Sequence, residues 1–569
     1  MNDDLARDIV SDWERRKGNR GTFESHWQQC ADYEMPNRDY IVSRSPGQKR
    51  MQRIYDAAPL LAGQEFANGI DSLSTSNTLQ WFWMRADSMR LNGLTPVRVW
   101  LEDAARAMYK VFSSPRHNFA TQKHEVYLDL GNIGSGCMFV LESARSGVLF
   151  SARSLRECVW AENEEDQIDN VIRQWQFTAR QAVSAWGERC GEKVLKAWKD
   201  KPDTPFTFLH AIRPRLKRDP QRAERRHMAW ESVYVALDDL HVIDEGGFNE
   251  FAALCPRMEK VSGEIYGRSP GMRALPDVKM LYEMKKTLIK AAQKIVDPPM
   301  DIPLNDYIMP VKTVPGGLLY YRGTGRARAQ AINTEGNLPI GAEMLAGLQQ
   351  QIRATYYLDK MMMPMNLQKP ETVGKNVTAT FWLQRRDANL QQLSPLLARQ
   401  QAEFTGPLID RVFAILWRRS KALRFDVDAG SPFPPPPPEL SGARIHPEYV
   451  SPVALAQRSS ELDAVARVID QAAQLQVAGV KDAASYLDAE AILRLTSDDL
   501  YAPVGVVKTP ERVAQERQAA AEAERMMQNH MALANVAKSA KDGAAAVSSL
   551  STAKQNVLEA PEDALEEAA

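Results

Sequence analysis

Six residues, Gly131-Asn132-Ile133-Gly134-Ser135-Gly136, have the glycine spacing of a phosphate-cradling loop, in which backbone N–H groups would face an anion. Such a site needs a Lys-Ser/Thr pair directly afterwards to hold phosphate and magnesium. Cys137-Met138 stands there instead, so the expected structure is a glycine-rich turn from helix to strand. Gly374-Lys375-Asn376 fails the same test, because no glycine stands five residues before Gly374. The eight histidines are scattered; His124-Glu125 runs on into Val126-Tyr127-Leu128, which lacks the second histidine of a zinc-protease helix. No Gly-x-Ser-x-Gly elbow occurs, and acid pairs such as Glu164-Glu165 read as solvated turns. The five cysteines, Cys30, Cys137, Cys158, Cys190 and Cys255, are odd in number and widely spaced, against both a disulfide framework and a zinc site. No catalytic residue, metal site or cofactor is expected.

The residues that do stand out suit contact rather than catalysis. Lys360 to Asn376 carries Met361, Met362, Met363 and Met365, with Pro364, Pro370 and the lysines Lys360, Lys369 and Lys375. It is about twice the usual length, roughly 2–8 residues, of a helix–helix connection. Methionine offers an adaptable apolar surface, and lysine a mobile point charge for phosphate without fixed geometry. Together they suit a contact that slides along nucleic acid; simple packing is the alternative. A second basic cluster places Arg322, Arg326 and Arg328 on a glycine-loosened loop, able to meet a phosphate backbone or an acidic protein partner, or simply solvated. The stretch Arg213 to Arg226 and the lysines Lys279, Lys285, Lys286 and Lys290 read as an exposed loop and a solvated helix face.

These segments need elements to position them. From Asp3 to about Glu34 the pattern is amphipathic helix, broken at residues 17–21, with Trp13, Phe23, Trp27 and Tyr33 on the apolar faces. Helices follow over about 57–73 and 96–111. Strands are expected at 148–150, 171–177, 206–212 and 230–237, interrupted by one helix over 178–199. Residues 1–269 thus read as α+β with one antiparallel sheet. Helix then dominates. Residues 271–295 place Leu275, Val278, Leu281, Tyr282, Leu288 and Ile295 on one stripe, and Asp297-Pro298-Pro299 ends it. A small hairpin is expected at 309–322, and helix again from about 339 to 358. After the 360–376 loop, one long helix runs from 377 to about 423, kinked at Pro395 and Pro407. Five consecutive prolines within 431–438 predict an extended spacer and a domain boundary. Residues 453–500 and 507–540 read as helices, the first with Leu462, Val465, Ile469, Ala472 and Leu475 on one face, and the acidic residues 541–569 as a disordered tail.

At 569 residues the chain exceeds one ordinary core. Its 71 basic and 72 acidic residues leave a net charge of −1, so any nucleic acid is handled loosely, without the basic surplus of a tight backbone binder. The acidic N-terminus has no signal core and no apolar run reaches membrane-spanning length; a soluble product of a reducing cytoplasm is expected.

The order helix, small β insert, helix, long loop, long kinked helix resembles that of bacteriophage portal proteins, the podovirus head-to-tail connectors. Ser262-Gly263-Glu264-Ile265-Tyr266-Gly267-Arg268-Ser269-Pro270 is similar to their Gly-Glu-x-Tyr-Gly-Arg-Ser segment. Trp27-Gln28-Gln29-Cys30-Ala31-Asp32-Tyr33-Glu34-Met35-Pro36 resembles their opening helix, and residues 74–83 and 131–140 match too, so that the likeness covers roughly residues 5–500. The resemblance implies an α+β, mainly helical portal fold with wing, stem, clip and crown parts, assembled as a ring of about twelve copies. It assigns 1–269 to the first part of the wing, 270–295 and 337–359 to two stem helices, and 296–336 to the clip. Residues 360–376 become the tunnel loop, 377–430 the wing's second part, 431–452 a proline-rich spacer, and 453–540 the crown. The implied function is a non-enzymatic channel at one capsid vertex through which double-stranded DNA is packaged and ejected. Implied partners are the terminase large subunit, tail adaptor and nozzle proteins, and the major capsid and scaffolding proteins, in a virion assembled in the host cytoplasm without membrane. Lys360, Met361, Met362, Met363, Lys369 and Lys375 would line the channel, and Arg322, Arg326 and Arg328 would serve the clip. A helical scaffold or adaptor, and a DNA-packaging ATPase, are the rival readings. The five-proline run and residues 213–226 depart from the family pattern.

Overall fold

A computed structural model describes residues 2–301, 330–331, 338–361, 379–449, 465–474 and 515–531, plus isolated positions between 487 and 548, with short breaks at scattered positions between 39 and 53 and at 77–79, 93, 144, 223, 441 and 443–444. It divides into two compact units, Met1–Ala464 and Val465–Ala569. In the second, the described residues 465–474 and 515–531 are helical, and Ile469 is exposed. The expected clip residues Arg322, Arg326 and Arg328, the hairpin at 309–322, the loop residues Met362, Met363, Lys369 and Lys375, and the tail at 541–569 apart from Ser548 all fall outside the described residues.

The first unit opens with α1 (Asn2–Asn19) and α2 (Gly21–Glu34), separated at Arg20 as the sequence predicts. Next come α3 (Ala58–Ser74), strand β1 (Phe82–Ala86), the short α4 (Met89–Asn92) and α5 (Thr95–Ser113), with proline in the first turns of α3 and α5, where its missing N–H costs nothing. Helix α6 (Phe119–Asn132) then runs through the core. Its amphipathic pattern is masked in the sequence because it buries the charged Lys123 and Asp129 among its apolar residues. Lys123 is neutralised within the core by Asp71 at 2.6 Å and donates to the Thr75 carbonyl at 2.5 Å.

Not one but two larger sheets follow. Strands β2 (Met138–Ser143), β3 (Gly147–Ala152) and β9 (Ala253–Leu254) form a three-stranded antiparallel sheet with β2 central. Strands β4 (Cys158–Glu162), β5 (Ile168–Thr178), β6 (Pro205–Pro214), β7 (Trp230–Ala236) and β8 (His241–Phe248) form a five-stranded meander. Met138 to Val140 and Cys158 to Trp160 are buried without alternation, which hides their period. Between β5 and β6 the expected single helix is two, α7 (Ala179–Trp186) and α8 (Glu192–Asp200), the first started by a Thr178–Gln181 capping box. Residues alternate across the meander: Ile172, Leu209, Ala211, Val233 and Val235 meet α1, whereas Trp175, Phe208 and Ala236 meet α7 and α8 on the other face.

Helix α9 (Pro270–Val296) is capped by Ser269, whose hydroxyl accepts from the Met272 N–H at 2.9 Å. Its stripe is buried from Leu275 to Tyr282, but Ile295 is exposed: the helix leaves the core before its end. Three of its five lysines are engaged rather than simply solvated. Lys279 donates to Gln29, Lys285 to Asp56 at 2.7 Å, and Lys286 lies 3.3 Å from Glu283. Two short strands, β10 (Met300–Asp301) and β11 (Gln330–Ala331), pair antiparallel and close the neck of the following insert.

Helix α10 (Leu338–Thr355) lies antiparallel to α9. A Cβ on Gly341 would fall 2.6 Å from Leu288, and Gln349 shares the Asp56 carboxylate with Lys285. The expected run to Leu358 stops early, because Tyr357 takes a positive φ of 59°, and a short α11 (Leu358–Met361) follows. The long helix expected over 377–423 is three pieces: α12 (Ala379–Gln400), a π turn (Gln401–Thr405) and α13 (Gly406–Ala422). Pro395 stays within α12, while Pro407 starts α13.

The proline run is extended, yet it packs on the core rather than standing free as a spacer. Phe433 is fully buried, and the Trp100 indole donates to the Pro434 carbonyl at 3.0 Å. Its aromatic neighbours Trp100 and Phe413 supply the apolar surface that extended prolines favour. Beyond it, β12 (Ile445–Tyr449) pairs with β1, and the boundary between compact units falls at 464/465.

Candidate functional site

Helices α9 and α10 meet the rest of the unit at a junction of four helix ends, and the residues there explain how they do so. At the end of α10, Tyr356 is fully buried and its hydroxyl donates to Asn132 Oδ1 at 2.9 Å. Asn132 closes α6, donating its amide to the Leu128 carbonyl at 2.9 Å. Its backbone carbonyl accepts from the hydroxyl of Ser269, so one side chain both caps α9 and ties that cap to α6.

The glycine-rich turn serves this contact. Gly134, at φ +91°, packs against the backbone of Gly267 so closely that any Cβ would overlap it, and Ser135 Oγ accepts from the Gly267 N–H at 2.8 Å. Tyr266 of the same segment is buried among Trp27, Trp160 and Phe23. The connector-like segment 262–270 is thus a brace between α6 and α9.

Beneath the junction, Glu34 at the end of α2 is buried beside Tyr356. Desolvation pushes its carboxyl up to about 8, so it holds its proton at neutral pH. Gly271 makes room for it, since a Cβ there would overlap Glu34 Oε2 and stand 2.8 Å from the Tyr356 hydroxyl.

The root of the loop is held as well. The Tyr357 hydroxyl donates to Glu259 at 3.0 Å and accepts from Arg273, which itself pairs with Glu259 at 2.8 Å. Of the expected loop residues, Lys360 and Met361 are helical, in α11, not looped. Lys360 is half-buried with its ammonium 5.4 Å from the Tyr357 ring centroid, a cation–π arrangement. Met361 packs into a small cluster with Leu393 and Leu397 of α12, and onto Gly69 of α3. Met361 thus packs, half-buried, at the root of the loop, and through it α11 and α12, the elements on either side of the loop, touch.

Further along, the π turn is locked by a buried cation. Arg257 gives its backbone N–H and its guanidinium to Glu403, both at 2.8 Å, and also pairs with Glu162. Gln400 donates to the Arg257 carbonyl at 2.9 Å. Arginine 213–226 is likewise not a uniform solvated loop: Arg213 lies in β6, paired with Glu231 and Asp8, and Arg215 pairs with Glu245.

None of Glu34, Asn132, Tyr356, Arg257 or Glu403 was singled out from the sequence as a functional residue, because each depends on a partner more than a hundred residues away. The described histidines are separate. His210, on β6, is buried, bonded to Ser232 at 2.8 Å and stacked on Tyr234, and burial pushes it down to about 3. Cys137 and Cys255 lie 3.9 Å apart as free thiols. Among the described residues no cluster could hold a metal ion, and no helix is long and apolar enough to cross a membrane.

The family model described as bacteriophage head to tail connecting protein matches residues 6–507. The chain is 30% identical over 566 residues to the probable portal protein of Bordetella phage BPP-1, covering 97% of this chain and 96% of that one. It is 29% identical over 473 residues to the portal protein of Salmonella phage epsilon15, covering 81% of each.

Proposed function

The chain belongs to the bacteriophage head to tail connecting protein family, the portal proteins, and from that premise we propose that it forms a ring of about twelve copies around a channel at one capsid vertex. Double-stranded DNA is packaged and ejected through it. In this reading α9 and α10 are the stem helices, the insert between them is the clip, and the residues that follow α11, 362–376, are the tunnel loop. The wing comprises residues 1–269 and 377–430, and 453–540 form the crown.

The observation that supports it best is the antiparallel pair α9 and α10, joined at one end by the insert whose neck is β10–β11 and braced at the other to α6 and α2 through Asn132, Ser269, Tyr356 and Glu34. A pair so braced holds both the insert and the loop root at defined places, as a translocating channel requires. The clip, with Arg322, Arg326 and Arg328, meets the terminase large subunit during packaging and the tail adaptor and nozzle proteins afterwards. Capsid and scaffolding proteins surround the ring. Lys369 and Lys375, repeated around the ring, give DNA a weak and smooth contact in keeping with the net charge of −1.

The test is the native mass of the purified chain by light scattering, with negative-stain images. A closed ring with a central hole supports the reading, and a stable monomer with nucleotide-dependent activity overturns it. On rings so obtained, exchange of Lys369 and Lys375 for glutamine should leave the mass unchanged and alter the packaging rate.

A further inference from the structure

The connection between β6 and β7 spans fifteen residues, 215–229, where an antiparallel hairpin needs roughly 2–5. Its length is built into a shaped finger. At the base, Arg215 pairs with Glu245 at 3.1 Å and donates to the Gly246 carbonyl at 2.8 Å, and Arg226 reaches the same Glu245. Gly247 lets Arg225 approach the sheet, since a Cβ there would fall 2.5 Å from the Arg225 carbonyl oxygen. Within the finger, the Asp219 N–H donates to His227 Nδ1 at 3.2 Å, and Asp219 Oδ1 accepts from Gln221.

Leu216 is 96% exposed, the highest value among the described large apolar residues. Lys217 and Arg218 beside it are exposed, and among the described residues neither has a carboxylate or hydrogen-bond partner. Segment 214–227 holds six lysines and arginines against Asp219 and Glu224, and of these Arg215, Arg222 and Arg226 have carboxylate partners among the described residues. An apolar side chain held fully in water, flanked by unneutralised cations on a braced support, has the form of an anchor awaiting its socket.

We propose that residues 215–218 are a docking finger for an acidic protein surface with an apolar socket, Leu216 filling the socket and Lys217 and Arg218 meeting the carboxylates at its rim. A nucleic acid is the less suited occupant, because a phosphate backbone offers no complement for the leucine.

The native cysteines are buried, so Leu216→Cys supplies a selective target for maleimide. Labelling is compared in the purified full chain and in phage particles carrying the same substitution. At least tenfold slower labelling in the particle supports the proposal, and equal rates overturn it. A photo-crosslinking amino acid at 216 then identifies what covers the tip: a protein adduct at an acidic segment, lost when Lys217→Glu and Arg218→Glu are added, supports the proposal. A nucleic-acid adduct, or a protein adduct that survives charge reversal, overturns it. Should the doubly reversed chain yield no particles, molar salt applied to particles with native Lys217 and Arg218 replaces it, and a tip that stays fully protected there counts against the ionic rim. Ring formation is read separately, so its failure and that of the finger remain distinguishable.

Discussion

Arg257 grips Glu403 from two sides, its backbone N–H on Oε2 and its guanidinium on Oε1, each at 2.8 Å. The pair joins the segment after β9 to the π turn between α12 and α13. π turns inside helices commonly mark functional sites, and here the extra residue per turn brings Glu403 onto a guanidinium that is itself 2% exposed.

Glu403→Ala should therefore destabilise the first unit by about 2–3 kcal/mol, below the roughly 3–5 kcal/mol of a fully buried pair, because the carboxylate is partly exposed and Glu162 still faces Arg257. Chemical denaturation monitored by tryptophan fluorescence measures it. A midpoint unchanged within error would mean that Glu162 alone satisfies the cation.

Glu34 predicts a pH dependence. Its carboxyl is raised from 4.5 to about 8 in the folded chain, so the unfolded chain ionises first as pH rises. The stability contributed by the protonated form is complete below about pH 4.5, falls between there and pH 8, and is flat above. Glu34→Gln, which stays neutral throughout, should become increasingly more stable than the parent from pH 5 to pH 8. Denaturation midpoints at pH 5, 6.5 and 8 show this as diverging curves, whereas parallel curves would refute it.

Gly271→Ala should cost about 1–3 kcal/mol by overpacking, because the new methyl meets Glu34, the Tyr356 hydroxyl and the backbone of Asn132 at once. Gly347→Ala on α10 is the matched control. Nothing lies within 4 Å of its Cβ position, so it should stabilise by up to about 1 kcal/mol through helix propensity. Thermal midpoints of the two variants should shift in opposite directions.

Ser269→Ala removes both the cap of α9 and the tie to the Asn132 carbonyl, and should cost about 1–2 kcal/mol. Ser269→Thr keeps a hydroxyl and should recover part of the loss. Hydrogen exchange at Met272 reports the cap directly: faster exchange is expected in the alanine variant, and an unchanged rate would show that another acceptor holds that N–H.

By itself the sequence determined what adjacent residues decide. The break between α1 and α2, the proline starts of α3 and α5, the Ser269-Pro270 start of α9 and its stop at Asp297-Pro298 follow from backbone restrictions and capping within a few residues. The connector resemblance lay in short ordered motifs and was legible for the same reason. Only the tertiary structure decided where those motifs act: the Tyr266-Gly267-Arg268-Ser269 segment braces α6 to α9, because Gly134 and Gly267 allow two backbones to touch. It also separated one expected sheet into two, packed Met361 against Leu393 and Leu397, and packed the proline run onto Trp100. Asn132 with Tyr356, Lys123 with Asp71 and Arg257 with Glu403 were illegible beforehand. A buried polar side chain is tolerated only when a partner arrives from elsewhere in the fold, and no local pattern records which partner that will be.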